Sequence, residues 1–337
     1  MKKIIMILMG LLIAVGFTGC GGSKEEKKEI TVYTAWEDDE LPGFVAEYEK
    51  THPDVKLNIV RESTGVIAAK LMAEKDNPQA DIIWGLAASG VLGVEDTLVG
   101  YTPKGLEHIN KKFYDQENKE PKWVGVTVYM NVITTNEIEA KKSDMKIPTS
   151  YADLLDPSYK GEIVMPNPAS SGTGFFTVAG WLYTMGEEKG WEYMDKLNDN
   201  IKMYVHSGSG PTKMAAQGET IVGLGMGYRG LEMKANGSPL VNQFPKEGSG
   251  WDTEVVAIVK KENVKPEAKE FMDWAISKDI MELYVQRRGI VSYEGMSSTL
   301  KGYPEDIFGQ LADIDIVWMA KNKERILKEW ENRYGKK

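Results

Sequence analysis

"KWVGVTVYMNVITTN" occupies positions 122–136. Val, Ile and Thr recur through it with no Gly-Pro or Asn-Gly punctuation until its end, so it reads as one strand. At 15 residues it is well over twice as long as the usual strand of roughly five or six. A strand of that length can leave one domain and enter another. The segments before it are "EITVYTAW" (29–36), a helix over 40–53, "VKLNIV" (55–60), a helix over 63–78 and "ADIIWG" (80–85). This is a β-α-β-α-β order, which predicts a parallel sheet with right-handed crossovers. The segments after it repeat the theme. A strand ends at "EIVMP", a helix follows "ASSGTG", "IKMYVH" (201–206) is a strand, "SGSGPTKMAAQGE" (207–219) a turn and helix, and "TIVGLGMG" (220–227) a strand. The β-rich run 240–260 reads as a return crossing. Residues 265–289 are strongly amphipathic, and 314–336 form a final helix.

The fold class expected is therefore α/β, with two lobes, two crossover strands and a cleft between them. The first lobe is assigned to 29–133 and 245–310, the second to 134–244, and a C-terminal helix to 311–337. Ligands of such sheets sit at the carboxyl ends of strands, beside helix N-termini.

The chain of 337 residues has 42% hydrophobic and 27% charged residues, which fits a soluble globular protein of about two domains. Its net charge is −9, and −11 once Lys2 and Lys3 are removed with a leader. No basic cluster marks a nucleic-acid face, so nucleic acid is not an expected partner. Residues 1–19 read as a signal peptide: a Lys2-Lys3 start and an apolar run from Ile4 to Phe17, too short to span a bilayer comfortably. Cys20 in "FTGCGGS" is the only cysteine. This resembles a bacterial lipobox, with Cys20 lipidated as the mature N-terminus and residues 20–28 as a solvated tether. The protein is expected on the extracellular face of the cytoplasmic membrane, touching lipid through that anchor alone.

Three helix starts share one design. Ser63, Thr64 and Gly65 follow the second strand. Ser170, Ser171, Gly172 and Thr173 follow "EIVMP". Ser207, Gly208 and Ser209 follow "MYVH". Each joins hydroxyls to free backbone N–H groups at the positive end of a helix dipole, the arrangement that holds phosphate or carboxylate without a metal. Capping alone needs one such residue per helix. Trp36 and Tyr228, at strand ends, are read as further cleft residues. Trp84, Trp123, Tyr129 and Trp251 divide between core and cleft. Glu37, Asp38, Asp252 and Glu254 lie near candidate positions and are read as solvated surface.

Rival readings find little support. "GMGYRG" (225–230) matches a dinucleotide fingerprint but is followed by barely two turns before a Gly-Ser-Pro break, and is read as a turn. His52, His108 and His206 are scattered, and no catalytic motif occurs. His206, beside Ser207 at a strand end, lies where a side chain can face the cleft, but it is not assigned to the site and catalysis is not expected of it. No catalytic residue, metal site or cofactor is assigned.

The segments "ITVYTAW", "STGVIAAKLMAEKDNPQADIIWG", "PNPASSGTGFFTVAGWL", "GYRGLEMKANGSPLVNQFPKEG" and "IDIVWMAKNKERILKEW", in that order, resemble the extracellular substrate-binding proteins of ABC importers. The branch is the one that includes ferric-ion, 2-aminoethylphosphonate and sugar-phosphate binders. The resemblance implies a type II periplasmic-binding-protein (Venus-flytrap) fold, hinge closure on ligand, a monomer, and a permease and ATPase as partners. The branch's ferric binders carry adjacent tyrosines where this chain has Tyr228-Arg229. The expected ligand is therefore a small anionic solute, an organophosphonate or phosphate ester such as 2-aminoethylphosphonate. Ferric ion, and an extracytoplasmic enzyme on the same scaffold, are the alternatives.

Overall fold

A computed structural model of the protein describes residues 27–296, 298 and 300–337. The signal peptide and Cys20 lie outside the described residues. The chain opens with β1 (Lys28–Thr34), α1 (Leu41–Thr51), β2 (Val55–Arg61), α2 (Thr64–Ala73), β3 (Ile82–Ala87), a short α3 (Ala88–Val91) and β4 (Leu98–Val99). β1 pairs in parallel with β2 on one side and β3 on the other. Both faces of this parallel sheet are covered, which is why β3 is apolar throughout and not alternating. On one face Trp36, Phe44, Tyr48, Trp84, Phe271 and Tyr284 pack together. On the other lie Tyr33, Ile67, Leu71, Ile83 and Leu86.

The long strand is β5 (Val124–Asn136), buried along its whole length. Its first part pairs antiparallel with β10 (Trp251–Val259), which in turn pairs with β3. Its second part, from Asn131, pairs with β8 (Val222–Met226) and β9 (Leu240–Gln243). One strand thus belongs to both halves of the sheet, in the order β2-β1-β3-β10-β5-β8-β6-β7. The second half is built from α4 (Glu137–Lys142), β6 (Ile163–Pro166), α5 (Gly172–Met185), α6 (Glu187–Asn200), β7 (Ile201–Val205), α7 (Gly210–Gln217) and α8 (Gly227–Ala235). β6 runs parallel to both β7 and β8.

Four features differ in detail from the sequence reading. The return run 240–260 is two strands, β9 and β10, separated by an irregular stretch holding Pro245 and Gly248; Gly248 adopts φ +95°, a left-handed conformation that favours glycine. The amphipathic run 265–289 is two helices, α9 (Pro266–Ala275) and α10 (Lys278–Arg288). "GMGYRG" is no turn: α8 begins at Gly227 within it and runs on to Ala235. The short helix α3, between β3 and β4, carries no strong periodicity and was not anticipated. The final helix, α11 (Ile316–Tyr334), packs Met319, Ile326, Trp330 and Tyr334 into the core of the second half, beside Phe175, Phe176 and Trp181.

Candidate functional site

The parallel strands β2, β6 and β7 each deliver the chain to a helix at their carboxyl ends. After β2, Ser63 is extended (φ −69°, ψ 150°) and α2 starts at Thr64, whose hydroxyl oxygen accepts from the Ala87 N–H at 3.2 Å. After β6, Ser171 caps α5 by accepting from the Gly174 N–H at 3.3 Å. After β7, the Ser207 hydroxyl accepts from the Gly210 N–H at 3.2 Å, at the start of α7. Ser63, Thr64, Ser171, Gly172, Thr173, Ser207 and Gly208 all line one cavity of about 20 Å³ between the two halves. Among the described residues the N–H groups of Gly172 and Thr173 donate to no protein acceptor. The Thr173 hydroxyl, also buried, has no hydrogen-bond partner among the described residues. Donors left unpaired in a buried site are costly unless a guest takes them.

Five residues placed at the site by sequence do not line the cavity. Trp36 is fully buried in the first core, stacked on Tyr284 at 5.1 Å, and stands behind Gly85, which does line it. Tyr228 is also fully buried; its hydroxyl donates to Met226 Sδ at 3.0 Å and its ring lies 3.9 Å from the Arg288 guanidinium. Both side chains turn inward because the aromatic core outcompetes the cleft for large apolar surface. Ser170 is at the rim, where its hydroxyl donates to the His206 carbonyl at 2.9 Å. Gly65 is at the rim too, and its N–H donates to the Ser170 carbonyl at 3.0 Å. Ser209 is buried and donates to Glu37 Oε2 at 2.9 Å. His206 faces Glu62 across the rim at 3.4 Å.

The sequence reading missed the charged part of the wall. Arg61, Glu37 and Glu254 line the cavity with Tyr129. Glu37, Asp252 and Glu254 are buried, not solvated; only Asp38 is exposed. Burial works to raise the Glu37 carboxyl, but Lys213, Arg229, Arg61 and the Ser209 hydroxyl outweigh it and hold it below the ordinary value. Burial pushes Glu254 well above the usual carboxylate range, against the Thr127 hydroxyl bond and with help from neighbouring Glu40, Glu37 and Asp252. Asp252, fully buried, is raised to about 6 by the same desolvation, although Ser89 donates to it through both N–H and hydroxyl. Arg288 is fully buried between Glu40 (2.9 Å) and Glu254 (3.3 Å). A signal for these existed. Two acids inside the apolar strand "WDTEVVAIV" cannot both be solvated when the strand lies mid-sheet.

The cavity is thus a pocket of hydroxyls, amide N–H groups, one guanidinium and two carboxyls. It suits a guest with anionic oxygens at one end and hydrogen-bond donors at the other. The sequence profile of the family described as bacterial extracellular solute-binding protein matches residues 91–306. A protein of Haemophilus influenzae is 30% identical over 290 residues, covering 84% of this chain and 82% of its own. The probable ABC transporter periplasmic-binding protein y4fP of Sinorhizobium fredii is 24% identical over 271 residues, covering 78% and 73%. The periplasmic binding protein AfuA of Actinobacillus pleuropneumoniae, with exogenous fructose-6-phosphate bound, superposes with a TM-score of 0.84 at 29% identity, over 92% of this chain and 99% of that one. The apo ferric ion-binding protein A of Pasteurella haemolytica superposes with a TM-score of 0.73 at 21% identity, over 91% and 98%, a likeness of fold alone.

Proposed function

We propose that this chain, which belongs to the bacterial extracellular solute-binding protein family and serves an ABC importer, captures a small phosphoryl-bearing solute, an organophosphonate such as 2-aminoethylphosphonate or a phosphate ester. The observation that carries this reading is the meeting on one cavity of the starts of α2 and α5 with the Ser207-Gly208 turn that leads into α7. Dipoles and hydroxyls neutralise phosphoryl oxygens there without a metal. Each charge-assisted hydrogen bond contributes about 1.5–3 kcal/mol. Glu37 and Glu254 supply partners for an amine or hydroxyl on the same solute. The bound fructose-6-phosphate of AfuA, a 29% identical protein of the same fold, supports a phosphate ester.

The space of about 20 Å³ holds about one water. A phosphoryl group therefore enters when the halves part, and the strand they share, β5, is the element about which they would turn. In this reading the moving lobes are 29–133 with 245–310, and 134–244. The C-terminal segment 311–337 packs on both lobes, on the second through Trp330 and Tyr334 and on the first against α3. Cys20 carries the lipid anchor, so a monomer works on a tether at the extracellular face, beside its permease.

A ferric reading would need phenolate oxygens in the cleft: the Tyr228 oxygen is turned to Met226 with a guanidinium against its ring, and burial holds Tyr129, which does line the cavity, well above the ordinary phenol range and so in its neutral form. Thermal unfolding with 2-aminoethylphosphonate, fructose 6-phosphate, inorganic phosphate and ferric citrate tests the proposal. A solute at 100 times its Kd adds about 2.7 kcal/mol of stability. A shift with ferric citrate alone would overturn the phosphoryl assignment.

A further inference from the structure

The two halves are also joined by ion pairs that run from the cavity wall at Glu37 out to the surface at Asp39. Glu37 and Asp39 follow β1 in the first half. Lys213 on α7 and Arg229 on α8 stand in the second. Arg229 donates from its two Nη atoms to the two oxygens of Asp39, both at 2.8 Å. Glu37 Oε2 accepts from the Lys213 ammonium at 3.1 Å as well as from Ser209 at 2.9 Å. Each buried charge also keeps a partner in its own half. Glu37 Oε1 accepts from Arg61 at 3.3 Å, and Arg229 donates to Glu232 at 2.7 Å. Opening would therefore strand neither charge. A buried ion left alone is strongly destabilising; a retained partner in each half makes these contacts separable, as a switch between two satisfied states.

We propose that the Glu37–Lys213 and Asp39–Arg229 pairs are a latch across the cleft, so that the closed population of this binding protein depends on ionic strength as well as on solute. Asp39 is the accessible end, with 56% of its side chain exposed, and Arg229 the buried end, with 5%. The half-exposed pair is open to screening by salt. Glu37 lines the solute cavity itself, so latch and site share a residue. The latch deepens the proposed function only in what closure is for, and its test needs no solute.

The reporter is the Gly65 amide, whose hydrogen bond to the Ser170 carbonyl joins the halves and is lost when they part. Hydrogen exchange is followed by NMR on the full chain and on Asp39→Asn and Asp39→Lys, with Asp38→Asn as a control beside the latch. The latch predicts about tenfold faster exchange at Gly65 in both Asp39 variants, while amides of the β1 ladder keep their wild-type protection. About 1 M salt, where the Debye length is about 3 Å, should do the same to the wild-type chain. The Asp38→Asn variant should match wild type. Unchanged Gly65 exchange in Asp39→Lys and in high salt would overturn the latch. So would exchange that rises equally at Gly65 and in β1, since that marks general destabilisation. Should either variant fail to fold, the salt series on the wild-type chain decides alone. Failure of every phosphoryl solute to bind would leave this result standing, so the two proposals fall separately.

Discussion

Substituting Gly172 by alanine addresses the anion cradle directly. Gly172 is the first residue of α5, and a Cβ there would stand 2.8 Å from the Ala87 Cβ, 3.2 Å from the Tyr129 hydroxyl and 3.3 Å from Thr64 Oγ1. Ala87 and Thr64 belong to the first half and Gly172 to the second. The added methyl therefore meets the opposite wall of the cleft and not the core of its own half. At the first position of a helix the propensity gain of alanine is small, and the halves can part to admit the methyl, so the ligand-free protein should unfold at about the same temperature. Binding is a different matter. A wedge between the halves denies a phosphoryl group the Gly172 and Thr173 N–H groups. Two charge-assisted hydrogen bonds at about 1.5–3 kcal/mol each, with a decade in Kd for every 1.4 kcal/mol or so, give a loss of about two to four decades. Isothermal titration with 2-aminoethylphosphonate and fructose 6-phosphate reads the loss, and thermal unfolding of the free variant reads the fold. A variant that binds either solute with wild-type affinity would show that the start of α5 is not where the anion sits. A variant that fails to fold would show that the methyl strains the second half itself.

Ser63 and Ser171 separate capping from cradle. Ser171→Ala removes a cap and should cost about 1 kcal/mol of stability, whereas Ser63, which makes no capping bond, should lose less than about 0.5 kcal/mol on the same change; both variants should bind solute more weakly by titration. Asp252 has a folded-state pKa raised to about 6 from 3.8, so its stabilising share is intact below the lower value and is lost as pH climbs through the upper one. Relative to wild type, Asp252→Asn should gain about 3 kcal/mol in denaturant midpoint experiments between pH 3.5 and pH 7.5 or so, and a pH-independent difference would refute the burial argument. Arg288→Met leaves Glu40 and Glu254 without their shared cation and should cost about 3–5 kcal/mol; adding Glu40→Gln and Glu254→Gln should recover most of it in urea unfolding.

Local sequence carried the element order, because strand alternation, helix periodicity and capping chemistry act over a few residues. The β-α-β-α-β start, the long strand shared by both halves and the three hydroxyl-rich helix starts were all legible, and with them the expectation of a cleft. Tertiary structure alone decided which of those residues face it. Thr64 and Gly172 meet at one wall only because β5 carries the chain from one half-sheet to the other, a long-range pairing that no local window contains. The same folding sent Trp36 and Tyr228 into the core, where an aromatic ring gains more from burial than at a wet rim. It buried Glu37, Asp252 and Glu254, whose burial depends on cations and hydroxyls supplied by distant segments, Lys213, Arg229, Arg288 and Ser89. Charge in an interior is tolerated only where partners converge, and convergence is a property of the folded chain rather than of any stretch along it.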